Sequence, residues 1–597
     1  MLKRKGLQNQ LGFFGILNAV YLILLTIYVS NNLLWQLPLK SLIWGLWATQ
    51  SELKVWFPLM YLAVWPIRLA LLALIVFAIR WIHRNQEKLR SNLTFNSRKD
   101  YQSFVKQEGL ILLLFLVIYI IIYFVTNDVF DAEIGFRFQV WLARGWLFQL
   151  IFQTVFVGWI YWQRVFRFLK DFLLYPSQPY SLAILRILFA IWCIWIYTSK
   201  MNTVLSMVSL PHKVPLPGWD FIIDFVPIST EIYTCVAYVG IAFSFLVIIG
   251  LKSRLALVIN ALCITYVITV PNLFGKLWHE HLTIWVGWIL ALSQCYSVFS
   301  LDARMAQKEV TQSPDYTWPI RLIWLQLAVI YFWAGFYKLW DCGFDWTLGQ
   351  SMVNQIQLEW LQHYDKLPGI RIDQFPVFLK VAGLGVILFE LGYVLLILSK
   401  KFRWPAAGAA LVMHNIFGMF VYIPFYILQV FYVVFIDFNK WVPASWKIKK
   451  ANPSGSSRAL VIGLAIVLVN FVFGMFSIDS YPFSAYPKYA AIVPNEVQYI
   501  HFEAFDTKGN LIDVHEIGQQ NGFRWESYGW LEYGIIQDYL HGTNVEQRVA
   551  DYWAIWRAHN PQLQSVNSLT AYVVQRPVSP EGKLKTERVG LISIVLH

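Results

Sequence analysis

Residues 319–349 read PIRLIWLQLAVIYFWAGFYKLWDCGFDWTLG, and this stretch decides the fold class. Its first part, residues 319–339, is apolar and long enough to cross a bilayer, because a spanning helix needs about 20 mostly apolar residues. Lys338 lies at the end of that run, one helical turn after the small residues Ala334 and Gly335. An ionisable side chain in an apolar span is costly and is a functional candidate by default. The stretch therefore predicts a membrane helix with a candidate site at one end.

The composition extends this conclusion to the whole chain. Of the 597 residues only 14% are charged, whereas a soluble chain carries about a quarter charged residues. The net charge of +13 comes from basic residues in short loops between apolar runs, which is what the positive-inside bias produces. The sequence offers no basic face interleaved with exposed aromatic residues, so we expect no nucleic-acid partner. It has no C-x-x-C pair, and the H-E-H of residues 279–281 lacks the spacing of a zinc helix, so we expect no metal site.

About thirteen apolar segments are candidate spans. They are residues 11–30, 55–82, 109–126, 140–162, 181–199, 232–250, 255–271, 282–299, 319–339, 376–399, 405–420, 422–437 and 459–477. Seven clusters of basic residues fall on one side of the membrane if the N-terminus is cytoplasmic and if residues 405–437 cross twice, with a break at Pro424. A tilted or re-entrant pair at 405–437 stays open. This topology places the C-terminal tail on the non-cytoplasmic side.

The pattern changes after the last span. Residues 496–516, EVQYIHFEAFDTKGNLIDVHE, alternate about the turn signal TKGN and predict a β-hairpin. Residues 544–561 predict an amphipathic helix that ends at a proline, and residues 569–577 and 589–595 predict two further strands. We therefore expect a polytopic all-α membrane protein with about 13 transmembrane helices and a small C-terminal non-cytoplasmic α+β domain.

The predicted topology brings ionisable residues from two segments to the non-cytoplasmic face. Lys338 ends its span there, and His279 and His281 lie in the loop that precedes another span. A lysine removed from water can be kept neutral, and a neutral amine can accept a proton or attack a carbonyl. The competing interpretation is that Lys338 snorkels to the interface and pairs with Asp341 or Asp345.

Two further ionisable residues lie deeper in the predicted spans. His414 is about ten residues into its span, near the bilayer midplane, and Glu390 lies within residues 376–399. Such groups need a partner in an apolar medium. For His414 the competing interpretation is a hydrogen bond to a neighbouring helix.

Four motifs resemble a known family. Residues 331–349, YFWAGFYKLWDCGFDWTLG, resemble the A-G-x-x-K-L…D-W…G stretch of the vitamin K-dependent γ-carboxylase family, which shares the horizontally transferred transmembrane, or HTTM, domain. WHEHLTIWVG at 278–287 resembles the family's histidine stretch, SLAILRILFAIWCIW at 181–195 its opening helix, and LVMHNIFGMF at 411–420 its later histidine helix. The motifs occur in the expected order over about residues 178–440.

The resemblance implies a specific chemistry. A lysine at the position of Lys338 is then the base that deprotonates vitamin K hydroquinone, after which oxygen yields an epoxide and a strong base that removes a proton from a glutamate. Carbon dioxide adds to the resulting carbanion. His281 supports this chemistry, and His279 competes for the same position. We therefore expect reduced vitamin K or another quinol as cofactor, oxygen and carbon dioxide as co-substrates, and no metal.

We assign quinol binding, as a prediction, to His414, Trp333 and Tyr331. This chain also departs from the family. Tyr337 replaces the first of two adjacent lysines, four extra spans precede the matched region, and the tail is shorter than the lumenal portion that recognises propeptides. These departures favour a quinone-dependent reaction on a substrate other than a propeptide-bearing protein.

The predicted organisation has four parts. They are a four-helix transmembrane extension at 1–175, an HTTM domain at 178–440, a last transmembrane helix at 459–477 and an extracytoplasmic α+β domain at 480–597. The predicted function is a γ-carboxylase-like membrane protein that deprotonates a reduced quinone to drive oxygen-dependent epoxidation or carboxylation. The alternative is a non-enzymatic lipid-binding or transport scaffold. We expect membrane lipids and a quinone as partners and leave open a protein or peptide substrate on the non-cytoplasmic side.

Overall fold

The chain divides into two compact units. The first comprises residues 1–167 and 338–346, and the second comprises residues 168–337 and 347–597. The computed structural model describes scattered residues between 109 and 158, then residues 162–208, 227–273, 280–307, 309–362, 367–446, 457–476, 490–514, 545–559, 561–580 and 587–595, and a few isolated positions between these ranges.

Six helices among the described residues are long and apolar enough to cross a membrane. They are Tyr180–Asn202, Thr230–Ile249, Ser253–Leu273, Pro314–Cys342, Pro376–Leu398 and Arg458–Met475. Each coincides with a predicted span, which supports the expected polytopic helical membrane protein. The predicted spans 11–30 and 55–82 lie outside the described residues, and those at 109–126 and 140–162 are described only in part. The total of thirteen spans and the orientation of the termini therefore stay predictions.

The helices whose bounds are described are named here in chain order. They are α1 Trp162–Leu174, α2 Tyr180–Val208, α3 Thr230–Ile249, α4 Ser253–Thr269, α5 His281–Leu292, α6 Leu301–Ala306, α7 Trp318–Cys342, α8 Asp345–Leu348, α9 Ser351–Gln362, α10 Pro376–Leu398, α11 Arg403–Phe420, α12 Tyr426–Phe431, α13 Ser457–Met475 and α14 Val545–His559.

Helix α5 is shorter than the predicted span 282–299. It ends at Leu292, where the backbone N–H and the hydroxyl of Ser293 both donate to the carbonyl of Leu290. The chain then turns, and the buried guanidinium of Arg186 donates to the carbonyls of Cys295 and Phe299. Because Arg186 supplies these carbonyls with donors, the segment needs no helical hydrogen bonds to be stable in the interior.

The segment 405–437 also differs from two simple spans. Helix α11 ends at Phe420, before Pro424, as the predicted break requires. The second half, however, consists of the six-residue helix α12 and a 3-10 turn over Tyr432–Phe435. Positive φ angles at Tyr422 and Phe425 mark the sharp change of direction between the two parts.

Small residues allow the long helices to pack closely. A Cβ atom on Gly240 of α3 would lie 2.3 Å from the ring of Tyr197 in α2, and one on Gly463 of α13 would lie 2.4 Å from Leu322 in α7. Close approach at small residues is the usual basis of helix association in membranes, because lipid provides no hydrophobic drive between helices. The first contact joins α3 to α2, and the second joins α13 to α7.

The C-terminal region contains the predicted sheet. Strands β1 Glu496–Asp506, β2 Leu511–Ile512, β3 Val566–Pro577 and β4 Glu587–Val595 form an antiparallel sheet in the order β2-β1-β3-β4. The hairpin turns at Gly509, whose φ of 81° favours glycine, and the Asp506 carboxylate accepts from the backbone N–H groups of Lys508 and Asn510. Helix α14 covers the sheet with Trp553, which is buried in its apolar core.

Helix α9 holds the segment that leads into this sheet. The Asn354 side chain donates to the carbonyl of Val493 at 2.8 Å and to the side chain of Asn495 at 2.9 Å. The Ser351 hydroxyl donates to the carbonyl of Ala491 and accepts from the N–H of Val493. The polar face of α9 therefore fixes the start of β1 within the second unit.

Candidate functional site

Lys338 lies in a turn that closes back on itself. Its side chain is 5% exposed, and its Nζ lies 5.2 Å from the centroid of the Trp346 indole ring. That distance is within the range of a cation–π contact. We call residues 338–346 the Lys338 turn. The turn presents the lysine amine to the face of an aromatic ring, where little water reaches it.

A glycine makes this turn possible. Helix α7 ends at Cys342, and the N–H of Gly343 donates to the carbonyl of Leu339 at 3.0 Å. Gly343 has a φ of 62°, the left-handed conformation that commonly ends a helix and that favours glycine. The short helix α8 then begins at Asp345, which brings Trp346 back towards Lys338.

Two residues that precede residue 167 contact the Lys338 turn within the first unit. Arg144 donates from Nε to the carbonyl of Trp340 at 2.7 Å, and its guanidinium lies 4.8 Å from the centroid of the Trp340 ring. The Tyr123 hydroxyl donates to Oδ1 of Asp345 at 3.1 Å. The predicted pairing of Lys338 with Asp341 or Asp345 stays a prediction.

A second polar region lies inside the second unit. The Tyr331 hydroxyl is 2.7 Å from Nε2 of His414 and also bonds the Tyr432 hydroxyl. The ring of Tyr393 lies against the ring of Tyr331, with centroids 4.1 Å apart. We call these four residues the tyrosine–histidine cluster. They are buried together where α7, α10, α11 and the turn after α12 meet. The contact of His414 with Tyr331 is a hydrogen bond to a neighbouring helix, as the competing interpretation of His414 expects.

Glu390 and Gly335 mark the contact between α7 and α10 beside this cluster. A Cβ atom on Gly335 would lie 2.8 Å from Cβ of Glu390, so the glycine accepts another helix. Glu390 is buried and close enough to Tyr331 to interact with it electrostatically. The small residue before Lys338 therefore serves helix packing at this position.

Trp333 does not join Tyr331 and His414. Its ring packs on Phe471, with centroids 5.0 Å apart, and against the backbone position of Gly474 in α13. Since Trp333 and Tyr331 are two positions apart on a helix, their side chains diverge. Of the three residues predicted to bind quinol, the structure brings two together.

His281 begins α5 and is fully buried. Two contacts with α2 fix this helix start: Lys200 pairs with Glu280 at 3.4 Å, and Trp192 donates from Nε1 to the Thr283 hydroxyl at 3.0 Å. His279 lies outside the described residues. Because His281 belongs to the second unit and Lys338 to the first, their predicted cooperation stays a prediction.

Metal ligands do not gather in the part of the chain that the structure describes. No group of three or more histidine, cysteine, aspartate or glutamate side chains with metal-binding geometry occurs among those residues.

Four residues of these two regions were not among the site residues predicted from the sequence. Arg144 is an arginine inside the predicted span 140–162, and the rule that intramembrane charges are functional candidates would have selected it. Tyr123, Tyr393 and Tyr432 are tyrosines within apolar runs, a pattern that also fits ordinary interfacial residues. For these tyrosines the sequence carries no signal of partnership with residues more than sixty positions away.

One comparison with known proteins places these regions in a family context. Residues 175–439 match the family model of the HTTM domain. This HTTM domain covers less than half of the chain, contains α2 to α12, and includes Lys338, His281, Tyr331 and His414. The HTTM part of the motif resemblance is thereby confirmed for these residues, and with the apolar helices it indicates a multi-pass integral membrane protein. No curated protein and no solved structure matches the chain.

Proposed function

We propose that the chain is an integral-membrane enzyme that removes a proton from a reduced quinone, with Lys338 as the base. The observation that supports this proposal is the buried Lys338 amine over the face of Trp346, within the residues that match the HTTM domain and in a stretch that resembles the γ-carboxylase family. The proton transfer would drive oxygen-dependent epoxidation or a carboxylation, with oxygen and carbon dioxide as co-substrates. The quinone would be reduced vitamin K or another quinol.

The side chains of the Lys338 turn fit such a reaction. A reduced quinone, when bound, supplies an acidic hydroxyl group and the electrons that oxygen accepts. Lys338 accepts the hydroxyl proton at Nζ, since a positioned amine is an effective general base. Trp346 then faces the ammonium that forms, and its ring stabilises that cation by about 0.5 to 2 kcal/mol. Burial of the amine limits competition from water.

The other predicted residues keep supporting roles in the proposal. His281, or His279 in its place, would hydrogen-bond an oxygen of the reacting molecule. Tyr331 and His414, whose side chains are 2.7 Å apart, would hold a quinol oxygen through a hydroxyl and an imidazole that can exchange a proton. Trp333 packs on α13 and would contribute to the wall of the helix bundle rather than to the same contact.

A non-enzymatic lipid-binding or transport scaffold is the second candidate. The contact between Lys338 and Trp346 favours it too, because a lysine that only anchors a helix end can rest on a tryptophan. Membrane lipids are partners in both cases. A quinone, and a protein or peptide substrate on the non-cytoplasmic side, are the further partners of the proposed enzyme.

Quinol turnover by a lysine variant separates the two functions. The full chain in lipid nanodiscs is supplied with vitamin K hydroquinone, oxygen and bicarbonate, and quinol loss is followed by absorbance. Lys338→Met, which keeps the side-chain length and removes the amine, should lower the rate about 10²- to 10⁴-fold. Lys380→Met in α10, a half-buried lysine, is the matched control and should retain the parent rate.

Each outcome bears on one candidate. A Lys338→Met variant that folds and turns over quinol at the parent rate contradicts the proposed base. No turnover by the parent chain with any quinol, together with loss of folded protein in Lys338→Met, favours the scaffold. Quinone identified by mass spectrometry in the purified parent supports the enzyme.

A further inference from the structure

The Lys338 turn is held by residues that lie outside the HTTM match. Residues 338–346 fall within the matched range 175–439, yet they form one compact unit with residues 1–167. Arg144 and Tyr123, which contact the turn, precede the match. The chain segment before the HTTM match therefore contributes residues to the surroundings of Lys338.

The first contact is at the end of α7. The last four carbonyls of a helix lack partners within the helix, and the Trp340 carbonyl is one of them. Arg144 donates to it at 2.7 Å, and a cation at this end of a helix also interacts favourably with the helix dipole. The guanidinium lies 4.8 Å from the centroid of the Trp340 ring, which fixes its orientation.

The second contact is on the other side of Gly343. The Tyr123 hydroxyl donates to Asp345 at 3.1 Å, one residue before Trp346. Arg144 and Tyr123 thus hold the two ends of the reversal that carries Trp346 to Lys338. If either end shifts, the distance of 5.2 Å between the lysine Nζ and the indole ring shifts with it.

The third contact lies at the glycine itself. A Cβ atom on Gly343 would lie 3.0 Å from backbone atoms of Gln139 and Val140. Backbone atoms cannot move aside as a flexible side chain can, so the turn and residues 139–140 are fitted to each other without room for a methyl group. Gln139 is itself buried. Three independent contacts therefore connect one short turn to the same preceding segment.

We infer that Arg144 and Tyr123 are positioning residues for Lys338 and Trp346, and that the backbone of Gln139 and Val140 completes the support of the Lys338 turn. This inference rests on the proposed function for its catalytic consequence, but the geometry it invokes is independent of the reaction. Neither residue donates or accepts a proton in the proposed reaction. Both act through the turn, by fixing where the lysine amine and the indole ring lie.

The reactivity of the Lys338 amine tests this inference without any quinol. The full chain in nanodiscs is treated with a membrane-permeant acylating reagent over a range of pH, and modification of Lys338 is measured by peptide mass spectrometry. Arg144→Met should change the rate of Lys338 acylation about threefold or more and should shift the pH profile of that rate. The reason is that the contact between the Lys338 amine and the Trp346 ring is no longer held in place. Arg144→Lys, which can still donate to the Trp340 carbonyl, should restore part of the parent profile.

Two further variants serve as a milder substitution and as a control. Tyr123→Phe removes a single hydroxyl and is expected to fold even if Arg144→Met does not, and it should change the same profile in the same direction. Arg167→Met changes an exposed arginine that precedes the HTTM match in the sequence, and it should leave the pH profile of Lys338 acylation unchanged. Parent-like acylation of Lys338 in both Arg144→Met and Tyr123→Phe would overturn the inference.

Quinol turnover separates this inference from the proposed function. Misplacement of a reacting group by about 1 Å costs about 100-fold in rate, so Arg144→Met should lower turnover by up to that factor. If acylation changes in Arg144→Met while Lys338→Met turns over quinol normally, the positioning role stands and the proposed base fails. If acylation is unchanged while Lys338→Met is inactive, the base stands and the positioning role fails.

Discussion

The Lys338 turn and the tyrosine–histidine cluster are both polar regions that involve α7, but they are built differently. In the cluster, Tyr331 meets His414 and Tyr432 through hydrogen bonds that join residues 83 and 101 positions apart. In the turn, Lys338 meets an aromatic ring only eight positions away, through a reversal at a glycine. The difference teaches that hydrogen bonds between side chains of different helices fix the packing of those helices as well as the positions of the groups proposed to hold a quinol oxygen. An amine placed on a ring face is better suited to gain and lose a proton.

The largest effect expected on stability is at the centre of the cluster. Tyr331→Phe removes the hydroxyl that serves both His414 and Tyr432, and leaves their polar atoms buried with one partner fewer. We expect a loss of about 3 kcal/mol in the free energy of unfolding, since each buried group left without its partner costs about 1 to 3 kcal/mol. Melting in nanodiscs, followed by intrinsic fluorescence, measures the change.

Tyr393→Phe is the matched control for that prediction. The Tyr393 hydroxyl is buried in the same cluster, yet it has no hydrogen-bond partner among the described residues. Its removal should change the melting temperature little or raise it. Equal losses in the two variants would break the comparison, because the cluster would then not depend on its hydrogen bonds.

The next effect concerns the helix contact one turn before Lys338. Gly335→Ala places a methyl group 2.8 Å from Cβ of Glu390, and overpacking of this kind costs about 1 to 3 kcal/mol. Gly392→Ala, where the structure leaves open space, should be neutral or slightly stabilising. Melting temperatures of the two variants measure the difference, and an equal change in both would show that the contact with Glu390 does not decide the outcome.

A smaller effect is expected at the ring that faces the lysine. Trp346→Leu keeps an apolar side chain and removes the aromatic face, which should cost the ammonium about 1 kcal/mol and lower quinol turnover about fivefold. Trp346→Phe should retain most of the turnover, and Trp404→Leu, at an exposed tryptophan, should retain all of it. A parent-like rate for Trp346→Leu would show that the aromatic ring of Trp346 does not assist the reaction.

The smallest effect concerns pH and the loop between α9 and α10. Burial alone would raise the pKa of Asp373, but hydrogen bonds from Arg371 and Gln357 outweigh it and hold the pKa below the ordinary range. The stability that this carboxylate contributes is thus present above the ordinary aspartate pKa of about 3.9 and is lost as the pH falls through the lowered value. Melting of the parent at pH 5 and pH 3, beside Asp373→Asn, measures it. An equal drop in both would assign the acid sensitivity to other groups.

Much of the helical fold could be predicted, because hydropathy and length alone define an apolar helix. The predicted hairpin at 496–516 could also be found, since its turn residues and alternation are local. The end of α5 at Leu292 could not, because it depends on Arg186, a residue more than a hundred positions earlier that supplies hydrogen bonds to the turn.

In the candidate site, too, local features could be predicted from the sequence, whereas contacts between distant residues could not. The motif around Lys338 was visible because all of its residues lie in one stretch. Its contacts with Arg144 and Tyr123 were not, because nothing in the sequence relates those positions to residues 340 and 345. Tyr331 and His414 were predicted together, whereas Trp333, two positions from Tyr331 on the same helix, packs on α13 instead.

Chemical rescue tests the central claim most directly. Lys338→Ala removes the amine and leaves space that a small primary amine can enter, so ethylamine should restore quinol turnover in proportion to its free-base concentration. The parent chain and Lys380→Ala should not respond to ethylamine. If Lys338→Ala is folded and inactive but no amine of any size restores turnover, or if it is active without one, the claim that Lys338 is the base is contradicted.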